Sequence, residues 1–294
     1  MAKLAELPLG LYEKALPPGD WPTMLRRAAE LGFDFVEMSI DESDERLQRL
    51  EWSRDQRREF AQAVWHSGLR VPSICLSAHR RFPLGSGDPA TVHAGMDLMR
   101  RAIDFATDLG IRILQVAGYD VYYNEESTPE TRERFVENLG RSVEYAGGRG
   151  VTLSVEVMDT PFMSSISRIL YVIRRVSSPW LTAYPDLGNL SAWNDNAAEE
   201  LELGVREGII SAVHLKDTYP PTVTSPGQFR DVPFGSGCTD FPRLLRILKQ
   251  QGYAGQFLLE MWNRNGEDDI AQVRAAAAWF RNIMEEVDND TATS

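Results

Sequence analysis

The sequence predicts a single (β/α)8 barrel over residues 1–294 with short flexible termini. Three observations predict it. A short apolar run followed by an amphipathic helical segment recurs eight times along the chain. The runs are apolar on both faces, as strands covered by helices must be. The length of 294 residues accommodates the ~250 of such a barrel plus long loops. Helices after nearly every strand imply parallel strands joined by crossovers. An open doubly wound sheet is the competing architecture, but no G-x-G-x-x-G follows the first run.

The runs lie at 9–12, 33–38, 71–76, 111–116, 151–157, 181–184, 209–215 and 256–260. Helix-period segments fall between them, at about 20–31, 54–67, 88–109, 129–147, 163–176, 196–207, 239–251 and 267–286. In the third segment Val92, Met96, Ile103 and Phe105 roughly follow one 3.6-residue stripe. Asp88-Pro89 supplies a cap and a first-turn proline there, and Gly110 a stop. Gly32, Gly68, Gly150, Gly208 and Gly252 close other helices in the same way. The surplus length goes to loops such as 219–237, which holds four prolines, Pro220, Pro221, Pro226 and Pro233. The stretch 41–58, rich in acids and arginines, reads as a solvated helical face with local ion pairs.

The composition narrows the function. Thirty-one basic against 43 acidic residues give a net charge of −12, which argues against nucleic acid or an anionic membrane as a partner. Cys75 and Cys238 are too few for a disulfide framework and form no CxxC. With no secretion-signal pattern and no run near the roughly 18 apolar residues of a membrane helix, a soluble cytoplasmic protein is expected.

Chemistry in such a barrel belongs at the C-terminal strand ends. There the last four runs carry Glu156, Asp186, His214 and Glu260. Each is strongly hydrated within an apolar run, and burying one unpaired costs several kcal/mol. A single strand-end glutamate is ordinarily a salt-bridge residue, and a single strand histidine a packed structural one. Four on consecutive strands are different. Three carboxylates in one barrel mouth repel each other unless a cation or protons compensate. Three oxygens and one imidazole suit a divalent ion (Mn²⁺, Zn²⁺, Mg²⁺ or Co²⁺) with positions left for a substrate. His79, after the third run, is a candidate substrate contact or support, whereas His66 and His93 lie in helical segments and Cys75 in the core.

Nine segments carry a family resemblance: LGLYEKALP, LGFDFVEMSIDESDERL, VPSICLSAHRRFPLGS, AGYDVYY, SSIS, YPDLGNLSAWNDN, VHLKDT, VPFGSG and LLEMW. From about residue 8 to about residue 285 the chain resembles the L-ribulose/L-xylulose 5-phosphate 3-epimerases of the xylose-isomerase-like barrels. The resemblance implies that Glu156, Asp186, His214 and Glu260 are metal ligands and that Glu156 and Glu260 are the acid/base pair. It also suggests a homodimer. Related epimerases of unphosphorylated ketoses often carry a histidine three residues after the aspartate, where this chain has Asn189.

Inverting C3 of a 2-ketose removes a proton α to a carbonyl and returns it to the opposite face, which calls for two groups flanking the sugar. Glu156 and Glu260, three strands apart, could flank it. A metal chelating the C2 and C3 oxygens would stabilise the cis-enediolate. A phosphate needs local positive charge, for which Lys14, Arg80, Arg81 and Lys216 are the strand-end cations. The Gly235-Ser236-Gly237 loop, just before a helix, offers backbone N–H groups of the kind that bind anions. Trp193, Phe229 and Trp262 are expected at the pocket or at a subunit contact. The alternatives are an aldose–ketose isomerase on the same residues, a non-catalytic sugar-phosphate-binding barrel, and an endonuclease of the same superfamily. The last is disfavoured by only four histidines and the acidic charge.

Overall fold

The computed structural model describes residues 2–264, 266 and 268–290. Among them eight short parallel strands form the inner ring: β1 (Leu9–Tyr12), β2 (Phe35–Ile40), β3 (Ser73–Leu76), β4 (Ile113–Val116), β5 (Thr152–Glu156), β6 (Leu181–Tyr184), β7 (Ala212–Leu215) and β8 (Gln256–Leu259). They pair in the order β6-β5-β4-β3-β2-β1-β8-β7. Two isolated parallel bridges, Ala183 with Ile210 and Asp186 with His214, join β6 to β7 and close the barrel. The strands begin one to three residues later than several of the apolar runs. Val71 and Ile111 are buried under the sheet without joining its ladder.

The outer layer comprises α1 (Trp21–Glu30), α2 (Asp44–Leu47), α3 (Arg54–Ser67), α4 (Pro89–Leu109), α5 (Pro129–Gly147), α6 (Ile166–Val176), α7 (Leu187–Trp193), α8 (Ala197–Arg206), α9 (Phe241–Gln250) and α10 (Asp269–Asn289). Their starts are chemically marked. Asp20, Ser53, Asp88, Thr128, Ser165 and Asp240 each accept a first-turn N–H at the start of α1, α3, α4, α5, α6 and α9. The inward face of α4 is Leu98, Met99, Ala102, Ile103, Phe105 and Ala106. Val92 and Met96 stay half-exposed over a groove against α5, so the expected stripe holds only in its second half. None of the described helices is long and apolar enough to cross a membrane.

The 41–58 segment is mostly exposed and carries a local Asp55–Arg58 ion pair, as expected, but Arg46 and Arg49 turn inward. The Glu13 carboxylate, fully buried after β1, pairs with Arg46 and lies 2.6 Å from Arg49 Nη1, while the Ser39 N–H donates to it at 2.7 Å. These arginines anchor the β2 loop to the end of β1, because a buried carboxylate demands paired donors.

Candidate metal centre and active-site cavity

Glu156 ends β5, His214 lies within β7, Glu260 follows β8 directly, and Asp186 sits two residues beyond β6. Asp186 is fixed by the helix it starts. Its Oδ1 accepts the Asn189 N–H at 2.8 Å as the cap of α7, a helix the sequence reading did not separate, and this leaves Oδ2 for the barrel axis. The four residues are buried, and one donor atom from each lies within 4.8 Å of every other. His214 Nδ1 stands 3.1 Å from Glu156 Oε1, 3.6 Å from Glu260 Oε2 and 4.0 Å from Asp186 Oδ2. Three carboxylate oxygens and one imidazole nitrogen converging from four strand ends fit a divalent cation.

Two further groups complete the cluster, and the sequence reading passed over both. Glu37, buried on β2, places Oε1 3.4 Å from His214 Nε2. Its Oε2 accepts Ser73 Oγ at 2.6 Å and Tyr184 OH at 3.2 Å. A carboxylate behind the imidazole fixes the ring and directs Nδ1 toward a metal. Gln115 on β4 donates its side-chain amide to Glu156 Oε2. Glu37 was detectable: it is a charge inside the second apolar run, the same signal that marked Glu156.

Lys216, two residues after His214, turns inward as well. Its Nζ lies 2.6 Å from Asp186 Oδ2 and 3.1 Å from Glu260 Oε2. Burial disfavours the ammonium, but Asp186, Glu260 and Glu156 outweigh it and hold the lysine above its ordinary pKa. Burial disfavours the imidazolium of His214 too, and Glu260, Glu156 and Glu37 overcome that and raise it well above the histidine range. Burial lifts Asp186 to about 7, against the pull of Lys216 and with Glu260 and Glu156 adding to it. Protons and one ammonium thus compensate the crowded carboxylates.

Above the cluster opens a cavity of about 310 Å³. Glu156 and Glu260 line it, as do the cations Lys14, Arg80, Lys216 and Arg230. Aromatic walls come from Tyr12, Tyr119, Phe229 and Trp262, with Arg230 4.5 Å over the Trp262 ring. Trp193 backs Phe229 in a stack with centroids 6.3 Å apart. Asn189 also faces the cavity, its amide held by the Val157 carbonyl at 2.8 Å.

Three expected substrate contacts are placed otherwise. His79 is buried away from the cavity lining, with Nε2 3.2 Å from the Gly95 carbonyl on α4; burial pushes its pKa down to about 4. The Gly235 and Gly237 N–H groups are taken by Asp217 Oδ2, both at 2.9 Å, so they are not free for an anion. Gly235 has a φ of +80°, and a Cβ on Gly237 would lie 2.2 Å from Asp217 Oδ1; these glycines serve the carboxylate's close approach.

The model of the xylose isomerase-like TIM barrel matches residues 25–283. The chain belongs to this family. Within the xylose isomerase-like barrels it is 53% identical over 280 residues to L-ribulose-5-phosphate 3-epimerase UlaE of Escherichia coli (strain SE11), covering 95% of each chain. Among solved structures, D-psicose 3-epimerase with D-tagatose from Clostridium cellulolyticum H10 superposes with a TM-score of 0.78 at 16% identity, over 95% of this chain and 99% of that one. A xylose isomerase-like TIM barrel protein from Mycobacterium smegmatis in complex with magnesium gives 0.69 at 18% identity, over 98% and 99%.

Proposed function

We infer that the protein is a metal-dependent epimerase that inverts C3 of a ketopentose 5-phosphate, interconverting L-xylulose 5-phosphate and L-ribulose 5-phosphate. The observation that carries this reading is that Glu156 and Glu260 meet across one cavity at a cluster able to hold a divalent cation. Similarity to an L-ribulose-5-phosphate 3-epimerase over 95% of the chain supports the substrate class.

In this reading Asp186, His214, Glu156 and Glu260 hold the ion, which when bound supplies positive charge for the oxygens that become electron-rich as C3 loses its proton. One glutamate takes the C3 proton from one face, and the other returns a proton to the opposite face. Reversing the direction reverses the roles. Tyr12, Tyr119, Phe229 and Trp262 would flank the sugar in this cavity. Arg80 and Arg230 supply the local positive charge a phosphate needs in a protein of net charge −12, while Lys14 at the cavity is paired with Asp41. Asn189 and Lys216 are among the polar groups left near the sugar.

Proton NMR in D₂O with a panel of pentulose 5-phosphates, with and without chelator, tests the proposal. Deuterium should enter C3 and not C1, and the chelator should stop it. Glu156→Gln and Glu260→Gln should each abolish epimerisation while keeping part of the metal affinity. Label at C1 would make the enzyme an aldose–ketose isomerase, no label at any carbon a binding protein, and full activity in both variants would remove the acid/base assignment.

A further inference from the structure

The Lys216 ammonium takes the same two oxygens that the cluster directs at its centre, Asp186 Oδ2 and Glu260 Oε2. Asp186 has no other oxygen to offer, since Oδ1 caps α7 through the Asn189 N–H. Lys216 is 7% exposed, and its nearest alternative is the cavity, with the Trp262 ring centroid 5.8 Å from Nζ. A monovalent and a divalent cation held by one pair of oxygens repel strongly in a site shielded from water. Without either cation, the buried carboxylates of Glu156, Asp186 and Glu260 face one another with only protons to compensate them.

We propose that Lys216 is a resident counter-cation of the cluster: it holds Asp186 and Glu260 together before the metal arrives, competes with the metal for both, and on loading turns its ammonium to the substrate cavity. The inference rests on the proposed metal site and adds to it a built-in competitor. It predicts an unusual sign. A lysine that merely supports the ligands would strengthen metal binding, so its loss would weaken the metal. A competitor's loss does the reverse.

The test compares chelator-stripped wild-type protein with Lys216→Met by calorimetric titration with Mn²⁺ and by thermal unfolding. Lys216→Met should melt at a lower temperature without metal and bind Mn²⁺ at least about tenfold more tightly. With Mn²⁺ saturating, its KM for the pentulose phosphate should rise more than its kcat falls. Equal or weaker Mn²⁺ binding by the variant overturns the proposal, and an unchanged KM overturns the hand-over to substrate. Should Lys216→Met fold only with Mn²⁺ present, the counter-cation role is supported. Should it fold in neither state, Lys216→Gln, which keeps a neutral donor, is titrated against the same criterion. Wild-type protein that binds no Mn²⁺ would sink the metal site itself, a separate failure from a variant of unchanged affinity.

Discussion

Loading the cluster with a divalent ion must drive protons off it. His214 is held toward its protonated form, because Glu260, Glu156 and Glu37 outweigh the burial that disfavours its charge. Asp186, raised to about 7 chiefly by burial, is half protonated there. A metal needs the Nδ1 lone pair and the ionised carboxylate. At pH 7 binding therefore releases about one to two protons, from the imidazole and in part from the carboxyl. The sign follows: protons are products of binding, so affinity rises with pH. Between pH 6 and 7 it should rise by about 10- to 100-fold, or ~1.4–2.7 kcal/mol. Above the Asp186 midpoint the slope should relax toward one proton. Titration calorimetry with Mn²⁺ in two buffers of different ionisation heat counts the protons directly, and repetition at pH 6 and 8 gives the slope. Binding without proton release, flat from pH 6 to 8, would refute this account of how the carboxylates are compensated.

Glu37→Gln keeps the shape behind His214 but removes the charge, and should weaken Mn²⁺ about 10- to 100-fold by the same titration; an unchanged affinity would leave Glu37 a packing residue. For His79 the folded pKa of about 4 lies below the ordinary 6.5, so the unfolded chain binds its proton first and stability drains away as pH falls through that interval. Urea titrations should show wild type losing ~3 kcal/mol more than His79→Gln between pH 7 and 4, and a pH-independent gap would exclude the effect. Asp217→Ala strands the Gly235, Gly237 and Thr239 N–H groups. It should lower unfolding free energy by ~3 kcal/mol while leaving Mn²⁺ affinity nearly unchanged.

The barrel was legible because its signals are local. Most of the helices carry a side-chain cap, and the strands are short, largely apolar runs. The four converging residues were legible for a related reason: polar groups at the ends of apolar runs are conspicuous. Asp186 could be named, but not its dual use, since capping α7 with one oxygen is a matter of rotamer. Groups facing the site from elsewhere in the chain were harder. Arg230 reaches the cavity from the middle of a proline-rich loop, where no periodicity says which way a side chain points. Gly235 and Gly237 misled because a glycine loop before a helix looks alike whether its N–H groups meet a phosphate or Asp217. His79 lies on the expected barrel face in sequence, but the turn at Ala78–Arg80 carries its ring toward α4.

The ring's thinnest seam is where β6 meets β7. Seven of its joins are ladders of three or four residue pairs, while this one rests on two bridges. One of the two unites Asp186 with His214, so two of the four inward-pointing donors sit on opposite lips of the weakest suture. An ion seated there would rivet the cylinder shut as well as serve its chemistry. Stripping it should let the Ala183, Ser211 and His214 amides, which stitch the lips together, trade their hydrogens with solvent before the rest of the ring does.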